Sequence, residues 1–170
     1  MIAVFLIAAL CIGADQLTKY LAVSALHPDG SVEVIRGILR FTYVENRGAA
    51  FGSLADNRWV FLTFSTLLII VLIGYTVWKK PAGWLERISF GLLIGGGIGN
   101  MIDRIALGYV IDFIDFCAFP KVWMWVFNGA DAFVCVGTAL LMIWIIISDS
   151  KDSKKKKEIT ESGAEDDEAE

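Results

Sequence analysis

Residues 126–148 read VFNGADAFVCVGTALLMIWIIIS. Residues 130–147 are almost entirely apolar, and a helix needs about 20 such residues to cross the hydrocarbon core of a bilayer. Asn128 and Asp131 nevertheless stand at its start, although ionisable side chains in such a setting are costly and commonly functional. The stretch therefore predicts a membrane-spanning helix whose first turn carries polar residues with a specific task.

The rest of the chain also has the composition of an integral membrane protein. Of its 170 residues, 56% are hydrophobic and only 20% are charged, and the mean hydropathy is +0.60. A soluble domain of this size rarely has such values. The apolar residues form four runs long enough to span a bilayer, at about 2–23, 59–78, 85–105 and 130–147. We therefore predict an all-α polytopic membrane protein with four transmembrane helices in one membrane domain, residues 1–149.

The basic residues predict its orientation, because lysine and arginine are enriched on the cytoplasmic side of membranes. They follow the second apolar run and, as a lysine block, the fourth. Both termini are therefore predicted to be cytoplasmic, with segments 24–58 and 106–129 on the outer side. Residues 150–170 join the lysine block to an acidic block and lack the apolar content to fold alone. They are predicted to form a disordered, charged cytoplasmic tail.

Both outer segments contain patterns typical of β-strands. Residues 31–46, SVEVIRGILRFTYVEN, contain alternating apolar positions with an interruption at Gly37. Residues 108–119, GYVIDFIDFCAF, are rich in β-branched and aromatic side chains. Such patterns favour extended structure. We predict a small extracytoplasmic β-sheet, or cradle, at the membrane surface.

The third apolar run contains glycines at helical spacing. Gly91, Gly95 and Gly99 form two overlapping G-x-x-x-G steps. Four-residue spacing places them on one helix face, where a second helix can approach closely. The run is thus predicted to pack tightly against another helix.

Polar residues gather near the predicted outer ends of the spans. They are Asp15, Lys19, Asn100, Asp103, Arg104, Asp112, Asn128 and Asp131. Structural explanations exist: Asp15 and Lys19 have the i,i+4 spacing of an ion pair. Asn128 is also suited to cap the fourth helix, with Asp131 at its third position. Their convergence at one level of the membrane, however, favours a functional site.

Two of the carboxylates suggest a reaction. Either Asp112 or Asp115, on the predicted strand, is expected to approach Asp131. Two close carboxyl groups share one proton, because placing two negative charges side by side is energetically unfavourable. Such a pair can activate water and protonate a peptide carbonyl oxygen. The only histidine, His27, adjoins a proline in a predicted turn, and the cysteines lack the paired spacing of a metal site.

Two other classes of protein stay open from the residues alone. A small transporter or channel also uses membrane carboxylates, and a structural subunit uses polar side chains to join helices. The clustering of charges at one surface and the lack of a visible inverted repeat argue against a transporter.

Five sequence blocks occur in a diagnostic order. They are DQLTK (15–19), VENRGAAFG (44–52), GGGIGNMIDR (95–104), GYVIDFIDF (108–116) and FNGAD (127–131). Together they resemble the blocks of the lipoprotein signal peptidases (signal peptidase II) of bacteria, over about residues 2–149. The only departure is Gly129, where the last block often has an aliphatic residue.

The resemblance implies an aspartic endopeptidase with Asp112 and Asp131 as catalytic residues, which resolves the tie with Asp115. It leaves open which aspartate is the base and which is the acid. It also implies supporting or substrate-binding roles for Asp15, Lys19, Asn46, Gly48, Asn100, Asp103, Arg104 and Asn128. No cofactor or metal is expected.

The same resemblance implies the substrate and the location. The substrate is a prolipoprotein that carries diacylglycerol on a cysteine, and cleavage falls just before that cysteine. The outer segment 32–58 is expected to hold or cover the peptide. The enzyme is expected to be a monomer in contact with membrane phospholipid, without nucleic acid. Its place is the bacterial cytoplasmic membrane, with the active site on the extracytoplasmic side.

Overall fold

The computed structural model describes residues 1–27, 30–48, 58–118 and 125–167, the side chains of residues 58, 61 and 151–167 excepted. Its elements follow one another as α1 (Ile2–Leu26), β1 (Ser31–Ile35), β2 (Leu39–Asn46), α2 (Arg58–Lys79), α3 (Trp84–Ala106), β3 (Val110–Phe116), β4 (Val126–Phe127) and α4 (Gly129–Asp167). The helix-rich architecture with a small sheet agrees with the prediction.

Three helices of the described residues are long and apolar enough to cross a membrane. They are Ile2–Leu26, Leu62–Lys79 and Gly129–Ser150. They match three of the four predicted spans by length and composition. Helix α3 is not among them, and it carries four charged residues, Glu86, Arg87, Asp103 and Arg104. Its crossing of the membrane therefore stays a prediction.

Helix α3 packs between α1 and α4 through its glycines. A Cβ atom on Gly95 would lie 2.6 Å from Cys11 Cβ on α1, and one on Gly91 would lie 2.6 Å from Ile7 Cγ2. On the opposite face, a Cβ atom on Gly96 would lie 2.5 Å from Ala130 O of α4. The predicted glycine face is thus confirmed, since only residues without a side chain allow these backbones to approach so closely.

The described strands form one antiparallel sheet in the order β1-β2-β3-β4. The predicted strands in both outer segments are confirmed, and Gly37, with φ of +69°, lies in the turn between β1 and β2. This left-handed conformation favours glycine. The sheet packs on the end of α1 through Phe113, which contacts Ala22 and Leu26. This contact places β3 against the C-terminal end of α1.

The end of the chain differs from the prediction. Helix α4 continues to Asp167, whereas residues 150–170 were predicted to be disordered. The sequence has a local reason for helix there, because lysine and glutamate are good helix formers and the lysine block is followed by glutamates at i,i+4 spacing, at Glu158 and Glu161. Low apolar content predicts that a segment lacks a core, but it does not exclude an isolated helix.

Candidate active site

Asp112 is a buried carboxyl group on β3. It is 1% exposed, and both of its oxygens accept hydrogen bonds from side-chain amides. Asn46 Nδ2 donates to Oδ2 at 2.8 Å, and Asn128 Nδ2 donates to Oδ1 at 2.6 Å. Antiparallel pairing of β2 with β3 brings Asn46 to this position, although the two residues lie far apart in the sequence.

The pKa of Asp112 is raised from its ordinary value of 3.8 to about 7. Burial is the main cause, because it removes the charged form from water. The hydrogen bond from Asn46 lowers the pKa, and the nearby charge of Asp131 raises it again. Asp112 can therefore carry a proton near neutral pH, and its charge is coupled to that of Asp131.

Asp131 lies in the first turn of α4, where it forms a reciprocal cap with Asn128. The Asp131 N–H donates to Asn128 Oδ1 at 3.0 Å, and the Asn128 N–H donates to Asp131 Oδ2 at 3.2 Å. This is the arrangement of a capping box. The other oxygen, Oδ1, accepts a 2.7 Å hydrogen bond from Asn100 Nδ2. The capping interpretation is thus confirmed, and the cap orients Asp131 toward the polar cluster.

Asn128 links the two carboxyl groups. It is fully buried, and its side-chain NH2 group contacts Asn100 Oδ1 at 3.1 Å and Ile111 O at 3.2 Å besides Asp112. Its backbone and side-chain oxygen meanwhile fix Asp131. One residue therefore sets the orientation of both aspartates.

Lys19 is a buried cation beneath this pair. Its Nζ lies 2.8 Å from Asp15 Oδ2, 2.8 Å from Asp103 Oδ2 and 2.9 Å from Asn100 Oδ1. An ammonium group has three donors, so it has one for each of these acceptors. The predicted Asp15–Lys19 ion pair is confirmed, and it is part of a larger network that reaches Asp131 through Asn100.

The remaining predicted residues lie at the edge of the cluster. Arg104 Nη1 donates to Asn100 O at 3.3 Å, and Gly48 N–H donates to Asn46 Oδ1 at 3.1 Å. Residues 49–57, which form part of the segment expected to hold or cover the peptide, lie outside the described residues.

Gln16 is a site residue that the sequence reasoning missed. Its Nε2 donates to Asp103 Oδ1 at 2.9 Å and lies 3.3 Å from Asp15 Oδ2. It thus binds the two carboxylates that also contact Lys19. Its position in the DQLTK block, three residues before Lys19 on the same helix face, was the available signal.

Asp115 is directed to a different place. Its carboxylate binds Arg40, whose Nε lies 2.9 Å away, and contacts the Thr42 hydroxyl. Alternation along β3 separates Asp115 from Asp112, because residues three apart on a strand point to opposite faces. Only Asp112 of the two bonds to Asn128 in the structure.

A cleft of about 270 Å³ opens beside Asp131, between α2, α3 and α4. Its polar lining comes from Asn100, Arg104, Asp131 and Ser65. The rest of its wall is mostly apolar and is formed by Leu68, Ile69, Leu72, Leu93, Gly97, Val134 and Cys135. An apolar peptide segment can therefore lie against the wall with a polar group at Asp131.

Comparison with known proteins identifies the family. The family model described as signal peptidase (SPase) II, Peptidase A8, matches residues 7–147. The chain belongs to the signal peptidase II family. The resemblance found in the five sequence blocks is therefore confirmed.

Individual relatives agree with this membership. The chain is 47% identical over 135 residues to the lipoprotein signal peptidase of Caldanaerobacter subterraneus, covering 79% of this chain and 90% of that protein. It is 40% identical over 146 residues to that of Clostridioides difficile, covering 86% and 96%. A solved bacterial membrane enzyme superposes with a TM-score of 0.79 at 31% identity, covering 87% of this chain and 90% of that one.

Membership in the signal peptidase II family makes the chain a bacterial membrane protein and a hydrolase of the protease class. The transporter and structural-subunit alternatives consequently lose their basis. Within the described ranges, no group of three or more His, Cys, Asp or Glu side chains is placed to bind a metal ion.

Proposed function

We propose that this signal peptidase II is an aspartic endopeptidase that removes the signal peptide from diacylglyceryl-modified prolipoproteins, cutting just before the lipidated cysteine. The observation that carries the proposal is that Asn128 contacts the carboxyl groups of both Asp112 and Asp131. The substrate class comes from the printed names of the relatives, which are lipoprotein signal peptidases.

The chemistry requires one proton to be shared by the pair. The ionised carboxylate takes a proton from water as the water oxygen attacks the scissile carbonyl carbon, and the protonated carboxyl donates its proton to the carbonyl oxygen. The resulting tetrahedral diol then collapses, and the C–N bond breaks as the leaving amine takes the proton that the first carboxylate had removed from water. The second carboxylate regains its proton from a diol hydroxyl. The pair titrates as a unit, so the roles of base and acid belong to the pair.

The apolar cleft beside Asp131 suits the hydrophobic segment of a signal peptide. Its wall is mostly aliphatic, whereas Asn100 and Arg104 lie at its polar end. A peptide held along α4 in this cleft would present its polar backbone to the aspartates. In this proposal the diacylglyceryl group stays in the lipid, which keeps the scissile bond at the membrane surface.

The proposed topology places this site on the extracytoplasmic side of the bacterial cytoplasmic membrane. It has four transmembrane helices, α3 among them, with both termini in the cytoplasm. Helix α3 supports this because its charged residues lie at its two ends, while its middle is rich in glycine and apolar residues. The enzyme acts as a monomer surrounded by phospholipid, without cofactor or metal.

The test is cleavage of a diacylglyceryl-modified prolipoprotein by purified protein in lipid, with mass spectrometry of both products. We expect cleavage before the lipidated cysteine, with loss of activity in Asp112→Asn and in Asp131→Asn. Asp115→Asn is the matched control, because Asp115 lies on the same strand but binds Arg40. Full activity in either of the first two variants would refute the aspartic mechanism, and a cut elsewhere would refute the proposed specificity.

A further inference from the structure

Two backbone amides next to the proposed catalytic residues are bound by buried carboxylates. The Ala130 N–H, one residue before the aspartate of α4, donates to Asp15 Oδ1 at 2.9 Å. The Ile111 N–H, one residue before the aspartate of β3, donates to Asp103 Oδ2 at 3.1 Å. Each catalytic segment is therefore anchored at the position just before its aspartate.

Lys19 joins these two anchors. It binds the second oxygen of Asp15 and the same Asp103 oxygen that accepts from Ile111, each at 2.8 Å. The three side chains of this triad, Asp15, Lys19 and Asp103, are at most 3% exposed. The anchors thus form one continuous unit in the interior.

Stability alone does not account for such a triad. Burying charges costs desolvation energy, and apolar residues of similar volume commonly stabilise a fold as well or better. A triad fixes geometry instead, because charged hydrogen bonds are short and directional. The close packing of α1 on α3 serves this arrangement, since a Cβ atom on Gly99 would lie 2.6 Å from Asp15 Oδ2.

We infer that the Asp15–Lys19–Asp103 triad is a positioning device that sets the start of α4 against β3, and thereby sets the two aspartates against each other. Asp15 and Asp103 act through backbone amides, and Lys19 acts through these carboxylates and through Asn100. The inference rests on the proposed function for the identity of the catalytic pair. It goes further by assigning the geometry of that pair to residues that bind the backbone beside it.

The decisive variant is Lys19→Met, because Lys19 binds Asp15 and Asp103, which in turn accept from the Ala130 and Ile111 amides. We expect faster amide hydrogen exchange at both amides in the free protein. Loss of positioning should lower kcat by about 100-fold, as small misplacements of reacting groups do. KM should stay unchanged, since Lys19 does not line the cleft beside Asp131.

A second pair of variants isolates one anchor. Asp103→Asn keeps an oxygen for the Ile111 N–H, whereas Asp103→Leu removes it. We expect a smaller loss of kcat and slower exchange of the Ile111 amide in the asparagine variant than in the leucine variant. Should Lys19→Met or Asp103→Leu fail to fold, Asp103→Asn and Gln16→Leu test whether Asp103 anchors the Ile111 amide. Faster exchange at Ile111 in these variants supports the anchor, and unchanged exchange in both contradicts it.

Ile94→Ala is the control for a purely structural role, because Ile94 is a buried residue of the apolar cluster that it forms with Val4, Ala8 and Phe90. If kcat falls with thermal stability equally in Ile94→Ala and Lys19→Met, the positioning inference fails. It also fails if exchange at Ala130 and Ile111 is unchanged in Lys19→Met. The exchange measurement needs no substrate, so a failed aspartic mechanism, seen as active Asp112→Asn, is distinguished from a failed positioning role.

Discussion

Asn128 Nδ2 lies 2.6 Å from Asp112 Oδ1, and this hydrogen bond connects the strand of one aspartate to the helix cap of the other. The same asparagine caps α4 through its side-chain oxygen, which accepts the Asp131 N–H. The oxygen of the Asn128 side chain therefore caps α4, while its nitrogen contacts the candidate catalytic Asp112. Substitutions at Asn128 can separate the two roles.

Asn128→Ser should remain folded but lose activity. Serine is a good N-cap, so α4 keeps its start, but serine cannot supply the NH2 group to Asp112. Activity should fall roughly ten- to hundredfold, because a hydrogen bond to a charged group contributes about 1.5–3 kcal/mol. Asn128→Ala should lose activity and also about 1 kcal/mol of stability. Thermal unfolding and cleavage rates check both, and an active serine variant would contradict the role in the site.

Gly95→Ala should destabilise the packing of α1 on α3. The added Cβ would lie 2.8 Å from Ala8 O besides its contact with Cys11, and overpacking of this kind costs about 1–3 kcal/mol. Gly13→Ala is the matched control, because nothing lies within 4 Å of its Cβ and alanine is the better helix former. Thermal unfolding in detergent should give a lower midpoint for the first variant and an equal or higher one for the second. Equal midpoints for both variants would contradict the close approach.

Val134→Trp should impair substrate binding more than catalysis. Val134 lines the cleft one turn after Asp131, so a bulky ring there should fill part of its volume and raise KM. Val136→Trp controls for the bulk of tryptophan, because Val136 lies on the same helix but is exposed and does not line the cleft. Steady-state kinetics on the lipidated substrate distinguish the two. If both variants keep the normal KM, the peptide lies elsewhere.

Local patterns in the sequence predicted much of this structure. The apolar runs predicted the helices, alternation predicted the strands, and the G-x-x-x-G steps predicted the close helix face, because each feature depends on residues near in sequence. The capping box of Asn128 and Asp131 was readable for the same reason. The choice of Asp112 over Asp115 was not, since it depends on pairing with β2 and came only from the family resemblance.

The backbone anchors lay beyond sequence reasoning. Ala130 and Ile111 contribute only amide groups, which every residue except proline has, so no residue type marks them. The role of Gln16 also depends on how α1 sits on α3. For residues 150–167 two features of the sequence pointed in different directions. The composition indicated disorder, whereas the local spacing of lysine and glutamate permitted a helix.

Asn46→Leu should move the pH profile of activity upward. The hydrogen bond from Asn46 lowers the pKa of Asp112, so its removal lets burial raise that pKa beyond about 7. The limb of a bell-shaped profile at which the coupled pair loses its shared proton then moves toward higher pH. Thr42→Val, on the same strand but in contact with Asp115, should leave the profile in place. A profile that stays fixed or moves to lower pH in Asn46→Leu would contradict the assignment of Asp112 to the catalytic pair.

Asp112 should also make folding stability depend on pH in a defined direction. Its pKa is about 7 in the folded protein against an ordinary value of 3.8, so the folded state binds more protons between these values. This contribution to stability is fully present below the lower value and is lost as the pH rises through the upper one. One such group changes the free energy of unfolding by at most about 1.4 kcal/mol per pH unit. Thermal unfolding from acid to neutral pH should therefore show a weaker decline for Asp112→Asn than for the wild type, because asparagine does not titrate. Parallel curves would mean that the pKa of Asp112 is the same in the folded and the unfolded protein, and the shared proton would then have to lie elsewhere.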